Sequence, residues 1–244
     1  TGEIGVGKTT LLRQLLNEIP ADLSIGLVSN MQGGCGRLLE WIMMALDQPY
    51  EASSYMQLFD RFQTFVIDRY ARGQRVVLVF DEAQNLDVAS LEELRMLSNI
   101  NADKNLLLQI ILVGQPQLRD LLERPELRQF AQRIASDFHL KGLSPEEVAH
   151  YIEHRLAVAG ASWRIFTPRS STLIAETTGG IPRLINIFAD LCMVYGFAAG
   201  TKVIDEGLVR EFLAGAQRHG VYKQFKRLEA APASQMEPRV SQMR

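Results

Sequence analysis

TGEIGVGKTT, residues 1–10, sets glycines at 2, 5 and 7 ahead of a lysine and two threonines. From Gly2 to Thr9 it fits G-x-x-x-x-G-K-[ST] at every fixed position. Glycines let backbone N–H groups converge on phosphate oxygens without obstruction by side chains. A helix that starts at Lys8 adds its positive N-terminal end. The expected nucleotide-binding residues are therefore Gly2, Glu3, Gly5, Val6, Gly7, Lys8, Thr9 and Thr10. Lys8 offers a mobile charge to the β and γ phosphates of ATP, and Thr9 a hydroxyl ligand for Mg²⁺. Such a loop normally sits between a strand and a helix. Here the helix can follow but no strand precedes it, and the chain starts without Met. It reads as N-terminally truncated, with its first core strand missing.

The next informative stretch is 76–80, VVLVF, followed by Asp81-Glu82. Five apolar residues in a row suit a central parallel strand covered on both faces. A carboxylate at its end can reach the Mg²⁺ of a phosphate on the neighbouring loop. Asp81 is the expected metal-side carboxylate, together with Thr9. Glu82 is placed to polarise the attacking water. A second buried strand is expected over 106–113, LLLQIILV, closed by Gly114-Gln115-Pro116. Ligands of open parallel sheets lie at the carboxyl ends of the strands. Gln115 can there contact the γ-phosphate or orient water.

Between these stretches the pattern alternates. Helices are expected over 9–19, 37–46, 55–71 and 88–100, and a buried strand over 23–29. The segment 30–36, NMQGGCG, reads as a glycine-rich turn. Short helices follow over 117–123 and 126–134, then a further short strand over 137–140. Alternating strands and helices imply a parallel sheet with right-handed crossovers. After Leu143 the pattern becomes all-helical. Ser144-Pro145-Glu146-Glu147 has the form of a capping box with proline at the first helical position. Further helices start at Pro168, Pro182 and Asp205. The fold class is α/β: a P-loop core over 1–143, an all-helical lid over 144–214, and a basic, flexible tail over 215–244.

Composition agrees with a folded α/β protein. The chain has 244 residues, 47 % hydrophobic and 22 % charged, with a formal net charge of −2. Residues 215–244 carry six Lys/Arg against two Glu, so the tail is +4 and the remainder −6. Two widely spaced cysteines, Cys35 and Cys192, suggest inert thiols in a reducing compartment. No run of about 18 apolar residues marks an integral membrane segment.

Several long strings match one known group in order: TGEIGVGKTTLL, VVLVFDEAQNL, LEELRMLSN, LLQIILVGQPQLRDLLERPELRQFAQRI, YIEHRL and GGIPRLIN. The chain thereby resembles the AAA+ ATPases of the general secretion pathway protein A (ExeA) type, including the secretion ATPases of exosortase and exopolysaccharide loci. The resemblance covers about residues 1–213. It implies a five-stranded AAA+ core and a helical lid, with Gly2–Thr9 as the Walker A loop and Asp81-Glu82 as the Walker B pair. It puts Gln115 at sensor 1, Arg133 at the arginine finger that acts on a neighbouring subunit, and Arg183 at sensor 2. Arg128 is a nearby rival for the finger. In that group a membrane helix and a peptidoglycan-binding region lie downstream.

The expected function is Mg²⁺-dependent ATP hydrolysis by a homo-oligomer that remodels or positions a partner in secretion or envelope export. The expected location is the cytoplasm or the cytoplasmic face of the inner membrane. Two rivals stay open. One is a DNA-linked ATPase of the transposition-regulator type, favoured only by the basic tail. The other is a nucleotide-gated scaffold with little turnover. His150 and His154, one helical turn apart, lack a third ligand and read as helix surface. Trp41, Met43 and Met44 read as packing residues.

Overall fold

Strand β2 (Arg75–Phe80) is buried at five of its six positions, and it organises everything around it. In this computed structural model it lies between β1 (Leu23–Val28) and β5 (Leu108–Leu112) in a parallel sheet of order β1-β2-β5. The structure describes residues 1–20, 22–29, 38–51, 54–102 and 105–218. The expected turn over 30–36, with Cys35, and the tail beyond residue 218 lie outside them. Val28, Phe80 and Leu112 are in register, so the three strands end level.

Alternate residues of a strand face opposite sides of its sheet. One side is made by Val76, Leu78 and Phe80 with Leu108, Ile110 and Leu112. Helices α2 (Leu38–Ala45), α3 (Tyr55–Ala71) and α4 (Val88–Leu97) cover it through Ile42, Met43, Phe62, Leu91 and Leu94. The other side, Val77 and Val79, packs on Leu12 of α1 (Lys8–Asn17). That side is thinly covered among the described residues. Leu27 is 39 % exposed and Ile111 37 %. The expectation that 23–29 and 106–113 are buried strands is therefore corrected: β1 and β5 are buried only in part, whereas β2 is buried on both faces. Met43 is core, whereas Trp41 and Met44 are exposed.

The strand expected over 106–113 is also divided. Leu106 belongs to an antiparallel hairpin of β3 (Asn101–Ala102) and β4 (Asn105–Leu106), where it pairs with Asn101. Leu107 turns into the core, and β5 starts only at Leu108. Helix α4 stops at Leu97, short of the expected end at 100, where the Ser98 hydroxyl donates to the Arg95 carbonyl. After α5 (Gln117–Leu122), the segment expected to be helical over 126–134 is a 3-10 turn, Pro125–Leu127, and one turn of helix, α6 (Arg128–Ala131). Pro125 fixes the tight entry, and Leu127 and Phe130 both face inward, which one turn suffices to achieve. The strand expected over 137–140 is reduced to a single parallel bridge between Leu140 and Gly2.

That bridge positions the glycine loop. Gly2 N–H donates to the Gly114 carbonyl (3.1 Å), and Leu140 N–H donates to the Thr1 carbonyl (2.7 Å). Thr1 and Gly2 thus occupy a sheet lane between the end of β5 and residue 140. An Arg119–Asp137 ion pair (2.7 Å) holds the outer segment to α5.

The chain divides into two compact units, Thr1–Lys141 and Gly142–Arg244. In the second, α7 (Pro145–Val158), α8 (Pro168–Thr178) and α9 (Pro182–Ala198) each begin with proline, and α10 is Glu206–Arg218. Proline at the first helical position sacrifices no helical hydrogen bond. Ser144 and Glu147 complete the capping box of α7, and Thr167 caps α8. Val148, Ile152, Ile174, Ile185, Phe188, Cys192 and Val209 form the core of this unit.

Candidate nucleotide site

Gly5 (φ 82°) and Gly7 (φ 107°) take left-handed backbone that other residues adopt only at a cost. A Cβ on Gly7 would meet nothing within 4 Å, so its requirement is conformational rather than steric. Gly7 caps α1 without a side-chain hydrogen bond, which leaves first-turn N–H groups for an anion. Gly2 has a different reason: its Cβ would lie 2.8 Å from the Leu140 carbonyl oxygen. Val6 is buried and anchors the loop, while Glu3, Thr9 and Thr10 are exposed. Lys8 Nζ donates to the carbonyls of Gly2 (2.7 Å) and Glu3 (2.9 Å), folded back over its own loop.

Asp81 follows the last residue of β2, and its N–H donates to the Val28 carbonyl. Its carboxylate is engaged at both oxygens. Thr9 Oγ1 donates to Oδ2 (3.0 Å), and the Glu82 N–H donates to Oδ1 (2.9 Å). The hydroxyl of α1 and the carboxylate of β2 are thereby in hydrogen-bond contact. Hard oxygen donors of this kind suit Mg²⁺, which keeps several waters and binds through few carboxylates. Among the described residues, no three His, Cys, Asp or Glu converge on a metal-sized site.

Glu82 itself is in left-handed backbone (φ 54°, ψ 37°), uncommon for a non-glycine residue. Its Oε2 accepts from Gln84 Nε2 (2.6 Å) and from Gln115 Nε2 (3.2 Å). Gln115 N–H in turn donates to Gln84 Oε1 (2.9 Å). The Gln84 amide holds the Glu82 carboxyl below the ordinary carboxylate range, aided by Gln115 and the Lys8 charge and opposed by partial burial. Glu82 is thus an anion at neutral pH.

The structure therefore brings Lys8, Thr9, Asp81, Glu82 and Gln115 to the level where β2 and β5 end. It does not bring the arginines of the same unit there. Arg133 is exposed beyond α6, with Nη1 donating to Ser98 Oγ (3.0 Å), and Arg128 is exposed within α6. Neither has a hydrogen bond to the cluster among the described residues. Arg183 is exposed in the first turn of α9, in the second unit. Gln84 and Ser98 escaped the sequence reading. The only hint of Gln84 was an amide two residues after Glu82; nothing marked Ser98.

Parallel strands that end level beside a glycine loop opening a helix, with a hydroxyl–carboxylate contact between the two, are the architecture of the P-loop ATPases. Residues 1–122 match the AAA domain, and the chain belongs to that family. It is 40 % identical over 208 residues to general secretion pathway protein A of Aeromonas hydrophila. That alignment covers 85 % of this chain and 38 % of the relative, so the chain spans well under half of that protein's length. Among solved structures, Cdc6p of Pyrobaculum aerophilum superposes with a TM-score of 0.61 at 20 % identity, over 83 % of this chain and 56 % of that one. The ADP form of the Aeropyrum pernix ORC2 protein gives 0.59 at 18 % identity, over 87 % and 60 %. At these identities the structural likeness speaks for the fold alone. Among the described residues, no helix is long and apolar enough to cross a membrane.

Proposed function

We propose that this chain binds and hydrolyses Mg²⁺-ATP as part of an oligomer and uses the cycle to remodel or position a partner in secretion or envelope export. The observation that carries this reading is the cluster itself. The Thr9 hydroxyl meets the Asp81 carboxylate, with an ionised Glu82 next along the chain. Loop N–H groups and Lys8 would hold the β and γ phosphates, Lys8 exchanging its contacts to Gly2 and Glu3 for phosphate oxygens. Thr9 and Asp81 would hold Mg²⁺, which when bound offsets charge on the phosphate oxygens. Glu82 would accept the proton of the water that attacks the γ-phosphorus, as the bond to the β–γ bridging oxygen breaks and ADP leaves. Gln115 would contact the γ-phosphate or that water.

A further positive charge on the transferring group would come from an arginine, and among the described residues neither Arg133 nor Arg128 has a hydrogen bond to the cluster. Arg133 is exposed and steadied by Ser98, which suits a finger offered to a neighbouring subunit. Arg183 would take the sensor 2 role. The secretion reading is supported by the name of the A. hydrophila relative; under it the chain would work on the cytoplasmic side, where ATP is available.

The test is ATP turnover against protein concentration, for the wild type, Glu82→Gln and Arg133→Ala. Wild-type specific activity is expected to rise with concentration. Glu82→Gln should bind ATP and lose turnover by about 10²-fold or more. Arg133→Ala should bind ATP and lose the concentration-dependent rise. Full activity of Glu82→Gln would remove the base assignment, and no turnover in the wild type would leave the scaffold reading. Stimulation by DNA that fades steeply with salt would turn the partner assignment to nucleic acid.

A further inference from the structure

Gln84 fills no position of the phosphate-binding motifs, yet its amide is used at both ends. Nε2 donates to Glu82 Oε2 at 2.6 Å, and Oε1 accepts from the Gln115 N–H at 2.9 Å. The Gln115 side chain closes the ring by donating to the same Glu82 oxygen at 3.2 Å. Two amides thus converge on Oε2, and among the described residues no protein donor reaches Oε1. Gly114 makes the room for this, since a Cβ there would lie 2.8 Å from Gln84 Oε1. The left-handed turn at Glu82 leads directly into the 3-10 turn Ala83–Asn85 that carries Gln84.

We propose that Gln84 is a positioning residue for ATP hydrolysis: it fixes the Glu82 carboxylate with Oε2 engaged and Oε1 presented to the attacking water, and it ties that carboxylate to the Gln115 backbone. This rests on the ATPase reading above and names a part of the same site. A glutamate side chain has three rotatable bonds, and a base misplaced by about 1 Å can cost about 10²-fold in rate. An amide is suited to the task. It donates at one end and accepts at the other, and it brings no charge against Glu82. Glutamate at position 84 would keep the acceptor for Gln115 N–H but set a carboxylate against a carboxylate. Methionine would keep the length and lose both contacts.

The experiment measures ATP turnover, ATP affinity and melting temperature for Gln84→Met, Gln84→Glu and Gly114→Ala, and for Gln84→Met combined with Glu82→Gln. Gly114→Ala displaces the amide without altering residue 84. Both Gln84→Met and Gly114→Ala are expected to lower kcat about tenfold or more with ATP affinity unchanged, and Gln84→Glu to lower it further. In the Glu82→Gln background, Gln84→Met should cost nothing more, because its effect runs through the Glu82 carboxylate. Unchanged kcat in Gln84→Met overturns the proposal. So does an equal loss in the Glu82→Gln background, or a loss of ATP affinity in place of kcat. If Gln84→Met does not fold, Gly114→Ala decides, and wild-type kcat there overturns the proposal. Failure of the underlying reading looks different: Glu82→Gln then turns over ATP like the wild type, whatever happens at 84.

Discussion

Cys192 records what the core of the second unit does to an ionisable group. Its side chain is fully buried, and burial pushes the thiol up to about 12. At pH 8 it is therefore a thiol, and the thiolate is the reactive form. In a Cys35→Ser variant, a thiol reagent at pH 8 should leave the native protein unlabelled and label it fully in denaturant. Rapid labelling of the native variant would show that this core opens readily. The same scale shows how far residues were legible. That Lys8, Thr9 and Asp81 belong together was legible from their spacing, and the structure folds Lys8 over the glycine loop and sets the Thr9 hydroxyl on the Asp81 carboxylate. Gln84 could not. Its contacts depend on a left-handed turn at Glu82 and on a backbone amide 31 positions away at Gln115, and neither leaves a pattern in the sequence.

At the scale of elements, α7 is the clearest case of a helix start set by four residues. Ser144 accepts from the Glu147 N–H, and the Glu147 carboxylate accepts from the Ser144 N–H (2.8 Å). Ser144→Ala should cost about 1 kcal/mol of stability, read from denaturant unfolding. The bond from the Ser144 backbone, then that from its hydroxyl, lowers the Glu147 carboxyl below its ordinary 4.5. A carboxyl lowered on folding adds stability above its unfolded value, and that stability disappears as pH falls through the lower folded one. The advantage of the wild type over Glu147→Gln should therefore be present at pH 7 and vanish in acid below 4.5. An advantage that persists at pH 2 would assign it to packing. Elements were read well where local signals were strong: α3 (Tyr55–Ala71) and α8 (Pro168–Thr178) begin where Ser54 and Thr167 cap them. They were read poorly where neighbours decided. Hydrophobicity runs unbroken from 106 to 108, and only the pairing of Leu106 with Asn101 divides it. Likewise, Leu27 and Ile111 look like core residues in the sequence, yet the sheet face they occupy is thinly covered among the described residues.

At the scale of the whole molecule, the site is assembled from pieces far apart in the chain. Thr9 meets Asp81 across 72 positions, and Gln115 reaches Glu82 across 33. Arg133, proposed above to act on a neighbouring subunit, is exposed and donates to Ser98 rather than to this cluster. The longest of these links is the one at the root of the phosphate loop, where Thr1 and Gly2 are stitched to Gly114 and Leu140. Contacts between such distant positions form late, because the loop they close is long and its entropy must be overcome first. The consequence concerns time. During refolding, α1 and the β1-β2-β5 sheet can form before the phosphate loop has its seat. Circular dichroism should then recover ahead of the signal from a fluorescent ATP analogue, and coincident recovery would show the loop to be seated with the sheet.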